Sequence, residues 1–484
     1  MRSVHYRYRY LQVLCLSVSV WLRTASSDTL EQVQVIARHG ARTILSKDAV
    51  TLAEGGASLT RDGQKQQVDL GREVRKAYMT GAGSFSTAYE ADEAWLSSSD
   101  FDRTLSSAMG FSNGVWPQND STAFPSNLTT FIPVHSVRRE NDIDILAYRN
   151  CPEFVKRLHE LYASSPFVAQ EKYNRQFLKD IASLYPGLMS PEDVREGYLQ
   201  LKNIWNVFDT INVRKDLSPD DSMSKKISDS QFAKLKNLTA WVEHRRYGND
   251  VAANLLGSNL WQTILGRVKG IYEQATVAEQ AKLKALPKHK VIFYAAHYPT
   301  ILGLFATFDL FETNKAFLSS TSVPNYASAL VIEVWKKSGG AASEQDLYIK
   351  LKFKDGDRVP LSNAPYLSLS TSCTATSCPV SAFKKAIEAK TLFKTEWCTE
   401  CGNTAAQDCS DAPKKLTRSG FLAMLDDLSG GAGIAIGICV GILIAVLSTC
   451  ILKRLRDRKK YTLHSSRETE GKQEMVSFNA VAEL

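Results

Sequence analysis

Two histidines in this chain stand directly after apolar runs. His39 follows VQVIA within VQVIARHGAR, between Arg38 and Arg42; His297 follows VIFYAA and opens HYPTILG. Arginine beside histidine at the end of a strand suits an oxyanion, because a guanidinium stays charged and its planar fork matches phosphate oxygens. In open α/β sheets ligands bind outside the carboxyl ends of the strands, so two histidines distant in sequence can meet there. A lone histidine after a strand is more often a hydrogen-bonded loop residue. His135, His159, His244 and His289 are read in that plain way.

The elements that must position these residues are legible around them. LEQVQVIARHG reads as a strand running into a loop. SLTRDGQKQQVDLGREVRKAYM places Val68, Leu70, Val74 and Tyr78 at helical spacing, with Thr60 available as N-cap. EAWLSSSDFDRTLSSAMGFSNGVWP reads as a short strand, a turn, and a helix ending near Gly114. Asp100 and Asp102 in that turn are read as turn former or N-cap rather than paired catalytic carboxylates. From Cys151 to about Lys284 the pattern is helical, an insertion capping the sheet. KVIFYAA returns to strand, PTILGLFATF to helix with Pro299 in its first turn, and ASALVIEVW and DLYIKLKF are two further strands. Strands alternating with helices imply an α/β sheet.

The ends differ from the body. The net charge is +8, but the first 27 residues hold four arginines and the last 32 hold eight Lys/Arg against five Asp/Glu. The body is near neutral, which points away from a nucleic-acid partner. Residues 1–26 read as a signal peptide, with a basic start, the apolar LQVLCLSVSVWL and small residues near a cleavage point. Residues 431–452 form 22 uncharged residues, enough to cross a hydrocarbon core of about 30 Å. KRLRDRKK follows at once and places the tail, 453–484, in the cytoplasm, a type I single-span topology. Residues 27–410 are then the ectodomain, with a cap at roughly 151–284, and 411–430 a stalk. Gly433, Gly437 and Gly441 share one helix face and would let two spans approach as a homodimer; glycine is common in membrane helices in any case. The body holds six cysteines, an even number fitting up to three disulfides in an oxidising compartment, with fifteen pairings open. No His/Cys cluster argues for a metal. Asn119, Asn127 and Asn237 head glycosylation triplets. The expected location is the cell surface, endosome or lysosome.

RHGAR (Arg38 to Arg42) resembles the RHGxR signature of the histidine acid phosphatases, and the likeness continues. LTRDGQKQQ resembles the family's LTxxGxxQ helix, and SSDFDRTLSSA its STDxDRTxxSA turn, which carries Arg103. PVHSVRRENDIDILAYRNCPEF, PNYASALVIEVW, SCTATSCP and EWCTEC also look like stretches of that family, so the resemblance spans roughly residues 30–402. It implies a phosphoglycerate-mutase-like sheet flanked by helices with a helical cap, and hydrolysis of phosphate monoesters without a cofactor. His39 would attack phosphorus and become phosphohistidine, while Arg38, Arg42, Arg103 and His297 surround the phosphoryl oxygens. Such a cradle supplies the positioning and charge that phosphoryl transfer needs. The resemblance further implies Cys151–Cys401 and Cys373–Cys378 disulfides, leaving Cys398 with Cys409, a pair outside the family pattern.

One position departs. The family's second histidine is followed by an aspartate that protonates the leaving group; here the residue is Tyr298. An ordinary Asp titrates near 3.9 and Tyr near 10. Three readings follow: a working phosphatase with Tyr298 or another residue as donor, a slow phosphatase favouring good leaving groups, or a phosphate-binding trafficking receptor on the same fold.

Overall fold

The computed structural model describes residues 27–410 apart from 47–55, 81–84, 120–122, 124–130, 249–250, 253, 274–288, 317, 319–322, 358 and 377. The chain divides into two units, Met1–Lys414 and Lys415–Leu484, and the second lies wholly outside the described residues. So do the expected signal peptide, stalk, membrane span and tail, and Asn127. Among the described residues no helix is long and apolar enough to cross a membrane.

The centre is β1 (Thr29–Arg38), whose last seven residues are all buried. A strand covered on both faces reads as a continuous apolar run, as VQVIA does. It pairs in parallel with β4 (Val291–Ala296) and antiparallel with β5 (Ala329–Lys336). Beyond β4 lie β2 (Ala94–Ser98) and β3 (Val134–His135), both parallel to it in sense. Beyond β5 lie β6 (Leu347–Lys354) and then β7 (Tyr366–Leu367), with β8 (Cys378–Pro379) also on β6, all antiparallel neighbours. The described sheet is therefore mixed: the helix-linked strands are parallel, and the hairpin-linked ones are not.

Side chains alternate between two layers, as strand geometry requires. Val33, Val35 and Ala37 of β1, with Val291, Phe293 and Ala295 of β4, pack on helices Arg61–Tyr78 and Asp102–Val115. Ile36, Ile292, Tyr294 and Ala296 face the opposite layer, with helices Ser258–Tyr272 and Tyr298–Phe308. Gln32 and Gln34 fall on this side and are satisfied by backbone: Gln32 Nε2 donates to the His289 carbonyl at 2.9 Å and Gln34 Nε2 to Ile264 at 3.1 Å.

The helical insertion has its own core, with Phe167, Leu178, Ile181, Ile211, Leu235 and Val242 in one cluster. That core is narrower than the helical block 151–284. The first helix of the block, Pro152–Ala163, buries Phe154 and Leu158 in the main core, and the helix Ser258–Tyr272 lies on the sheet. Helical periodicity marks helices; it does not say which layer each one covers.

Three disulfides join Cys151 to Cys401, Cys373 to Cys378 and Cys398 to Cys409. The first links residues 250 positions apart, tying the start of the insertion to the helix Lys394–Cys401. Asn119 and Asn237 are exposed. Because a cross-link over so long a loop restricts the unfolded chain most, replacing both Cys151 and Cys401 by Ser should lower unfolding free energy by about 2–5 kcal/mol, measured as a shift in urea midpoint.

Candidate active site

The register of β1 and β4 pairs Arg38 with Ala296, so the next residues, His39 and His297, emerge side by side. Their ring centroids are 5.4 Å apart, and each residue is 3% exposed. The His39 amide also donates to the Ala296 carbonyl at 3.0 Å. His39 Nδ1 lies 2.8 Å from the Gly40 carbonyl. A carbonyl only accepts, so Nδ1 holds the proton and Nε2 keeps its lone pair, the state a nucleophile needs.

The loop after β1 is pinned by the start of the helix Arg61–Tyr78. Thr60 caps that helix, its hydroxyl accepting from Gly63 N and donating to Ala41 O, both at 3.0 Å. Gln66 Oε1 accepts from Ala41 N at 2.8 Å, and Gln67 Nε2 donates to Arg38 O at 2.9 Å. Gly40 and Gly63 meet backbone to backbone: a Cβ on Gly40 would lie 2.1 Å from the Gly63 carbonyl oxygen. The LTRDGQKQQ stretch thus holds the histidine loop, and Thr60, Asp62 and Gln66 also line the cleft beside it.

Arg38 donates from Nη1 to Pro324 O at 2.6 Å. Its guanidinium lies 4.1 Å from the Tyr326 ring centre and 5.2 Å from that of Tyr298. Arg42 makes a two-pronged ion pair with Asp209 of the insertion helix Ile204–Leu217, at 2.9 and 3.0 Å. Both side chains are buried, at 1% and 6% exposure. Arg103, on the first turn of the helix Asp102–Val115, is buried with its guanidinium 4.3 Å from the Phe101 ring. That helix is capped by Phe101, not by Asp100 or Asp102. Asp102 is its first residue, an acid favoured at the positive helix end, and Thr104 Oγ1 bonds back to the Ser99 and Phe101 carbonyls.

Burial first, and then Arg103, hold both histidines well below the ordinary imidazole pKa. Arg38 and His297 add to the effect at His39, and Arg149 and Arg38 at His297. Both rings are therefore harder to protonate than a free imidazole. His297 Nε2 also contacts Ser99 Oγ at 2.8 Å, which in turn contacts Thr104 Oγ1 at 3.0 Å.

Tyr298 opens the helix Tyr298–Phe308, with His297 as N-cap. Its hydroxyl donates to Glu243 Oε2 at 2.6 Å, and Glu243 Oε1 accepts from Arg246 Nη1 at 2.6 Å. Glu243 and Arg246 lie at the end of the insertion helix Asp229–Tyr247 and are buried. Burial and the adjacent Glu243 push the phenol well above its usual pKa, so it stays protonated with its proton directed at Glu243. A cleft of about 430 Å³ opens over this group, lined among others by Arg38, Arg42, Trp205, Asp209, Tyr298 and Tyr326. His39, His297 and Arg103 are not among its lining residues; His39 lies behind, its ring 5.8 Å from that of Tyr326.

Sequence reasoning missed Asp209, Glu243, Trp205, Tyr326 and Ser99 as members of this site. Glu243 carried a faint signal: it is an acid beside the basic His244, Arg245 and Arg246 at a helix C-terminus, where the dipole disfavours carboxylates. Asp209 carried none. Of the histidines read as plain, His135 stacks on Trp95 at 3.8 Å, His244 meets Phe311 edge-on at 4.6 Å, and His159 is exposed. His289 contacts Arg267 at 2.9 Å and is lowered to about 4 by burial and that arginine. Among the described residues no group of three or more His, Cys, Asp or Glu could hold a metal ion.

An α/β sheet with paired histidines and buried arginines at its carboxyl edge is the frame of a histidine phosphatase. The chain belongs to the histidine phosphatase superfamily, branch 2, whose family model matches residues 44–354. It is 26% identical over 412 residues to prostatic acid phosphatase of Rattus norvegicus, covering 82% of this chain and 95% of that protein. It is also 26% identical over 412 residues to lysosomal acid phosphatase of Homo sapiens, covering 83% and 86%. Among solved structures, the phytase from Citrobacter braakii matches with a TM-score of 0.53 at 14% identity, covering 77% of this chain and 99% of that one. At that identity the likeness speaks for the fold alone.

The buried neutral histidines have a measurable consequence. Unfolded, each titrates near 6.5; folded, each resists protonation. Below about pH 6.5 the unfolded chain takes up protons that the folded one refuses, so stability falls as pH drops. His39→Gln should flatten this decline between about pH 7 and 5 in urea titrations, whereas an unchanged slope would mean His39 titrates normally.

Proposed function

We propose that this chain is an acid phosphatase that hydrolyses phosphate monoesters through a phosphohistidine at His39, and that it favours esters whose leaving group departs without help from a proton donor. Similarity to the prostatic and lysosomal acid phosphatases supports the activity. The observation that carries the mechanism is the fixed tautomer of His39 beside a hydroxyl of Tyr298 already committed to Glu243.

In the first step His39 Nε2 attacks phosphorus, an N–P bond forms, and the ester P–O bond breaks. Arg38, Arg42 and Arg103, with His297, stabilise the charge on the phosphoryl oxygens. Water then cleaves the N–P bond and releases phosphate. The residue after His297 is Tyr298 rather than a carboxylic acid. Tyr298 presents its ring to Arg38 and its proton to Glu243, and raising a phenol's pKa makes it a worse acid. A positioned general acid contributes about 10²–10⁴-fold, or about 3–5.5 kcal/mol of barrier, and alkyl esters lose it most. Asp209 neutralises part of Arg42, so the cradle acts with Arg42 aligned by the insertion rather than as a bare fork.

The membrane setting is part of the proposal. The uncharged segment 431–452 and the basic run after it support a single type I span, with glycines spaced for a homodimer. The disulfides of the ectodomain support an oxidising lumen or exterior, and the lysosomal relatives support an endosomal or lysosomal membrane.

Tyr298→Phe is the decisive variant. It keeps the ring and removes the bond to Glu243. Hydrolysis of an aryl phosphate should stay within about threefold of wild type while stability drops by about 1–3 kcal/mol, since one buried carboxylate oxygen loses its partner. A loss of about 100-fold or more in turnover would make Tyr298 the proton donor instead. His39→Ala should abolish both turnover and acid-labile phosphoprotein; a receptor that binds phosphate without turnover would form no phosphoprotein even with His39 present.

A further inference from the structure

Behind His297 stand two hydroxyls in series. β2 runs parallel beside β4 and pairs Ser98 with Ala295, so Ser99 leaves the sheet next to His297. Thr104 stands in the first turn of the helix Asp102–Val115. Both residues are fully buried. Ser99 Oγ lies 2.8 Å from His297 Nε2 and 3.0 Å from Thr104 Oγ1. Thr104 Oγ1 lies in turn 2.8 Å from the Ser99 carbonyl oxygen and 2.9 Å from that of Phe101.

The proton count along this chain gives it a direction. A carbonyl only accepts, and a hydroxyl has one proton to give. Thr104 Oγ1 faces two carbonyl oxygens at hydrogen-bond distance, so its proton goes to one of them and a lone pair is left for Ser99. Ser99 then donates to Thr104 and offers its own lone pair to His297, whose Nε2 donates. In the opposite choice Ser99 donates to His297 Nε2. That sets the two hydroxyl oxygens 3.0 Å apart with no proton between them, the costlier arrangement for buried polar groups.

We propose that Ser99 and Thr104 are positioning residues that hold His297 as the Nε2–H tautomer, opposite to that of His39, and leave Nδ1 to meet the phosphoryl group. His39 keeps its proton on Nδ1 through the Gly40 carbonyl. His297 keeps its proton on Nε2 through two hydroxyls that end on a carbonyl. The bond made by one ring nitrogen sets the state of the other. With Nε2 committed, His297 donates to a non-bridging phosphoryl oxygen only after Nδ1 takes up a proton, so one proton enters the site with the anion. Arg103, Arg149, Arg38 and Arg42 around the ring oppose that uptake in the empty site, and a phosphoryl dianion offsets them. The role of Nδ1 rests on the phosphatase reading above; the tautomer does not.

The test is nitrogen NMR of the full chain in detergent, labelled with 15N at histidine and free of phosphate, with the His297 signals identified by their loss in His297→Gln. Ring-nitrogen shifts distinguish the two neutral tautomers, and the wild-type ring should carry its proton on Nε2. Ser99→Ala should mix the tautomers and lower kcat/KM for an aryl phosphate about tenfold, the kinetic worth of roughly one hydrogen bond. Ser99→Thr, which restores a hydroxyl, should recover both. Thr104→Val frees the Ser99 proton for Nε2 and should move His297 toward the Nδ1–H form, a reversal that a merely structural role would not produce. An Nδ1–H ring in the wild type would overturn the proposal, as would a tautomer unmoved by Ser99→Ala and Thr104→Val. The wild-type spectrum decides the question even where a variant does not fold. Because it is read without substrate, an Nε2–H ring in a chain that hydrolyses no ester would remove the phosphatase reading and leave the tautomer standing.

Discussion

The parallel pairing of β1 with β4 is the constraint on which the site rests. Residues separated by more than 250 positions are brought together because Arg38 lies opposite Ala296, and a one-residue slip would turn every side chain of one strand to the other face. The register is fixed from both sides. Val33, Val35 and Ala37 fill one layer, and the glutamines of the other face are tied to carbonyls of the covering helix and the β4 approach. Backbone contact at Gly40 and Gly63 then fixes the loop that follows. The histidine pair is thus the endpoint of packing decisions made along the length of the sheet.

Concentrating Arg38, Arg42 and Arg103 around two buried imidazoles is costly, since buried cations need compensation. The compensation comes in different forms. Arg38 lies against aromatic faces and a carbonyl. Arg42 is matched by Asp209, which belongs to the insertion and not to the sheet. Glu243, also from the insertion, pairs with Arg246 and accepts a hydrogen bond from the Tyr298 hydroxyl. The insertion is therefore electrostatically bonded to the catalytic edge at two carboxylates. Tyr298 gains a partner through this arrangement, and its hydroxyl is directed at Glu243.

The parts legible in the sequence were those carried by local pattern. VQVIARHGAR showed a buried strand ending on chemistry, Thr60 showed a cap, and the hairpin ASALVIEVW/DLYIKLKF showed an antiparallel pair, because each depends on neighbours a few residues away. The Cys373–Cys378 and Cys151–Cys401 links came from resemblance rather than from spacing. Asp209 and Glu243 were not legible, since each lies on an insertion helix that carries no sequence motif and acquires meaning only when the insertion folds over the sheet. The N-cap at Phe101 in place of an aspartate was hidden for a related reason: Thr104 takes over the hydroxyl-to-backbone bonding of that turn.

The central claim is that the leaving group departs from phosphorus without a proton delivered by the protein. The direct measurement is kcat/KM across uncharged phosphate monoesters graded by the pKa of the alcohol, from activated phenols to simple alkanols, because kcat/KM reports the first P–O cleavage whatever limits turnover. The account predicts a steep fall as leaving-group pKa rises, with alkyl esters at least about 100-fold below aryl esters. A flat profile extending to the alkanols would contradict it and would mean that an acid near His297 protonates the departing oxygen.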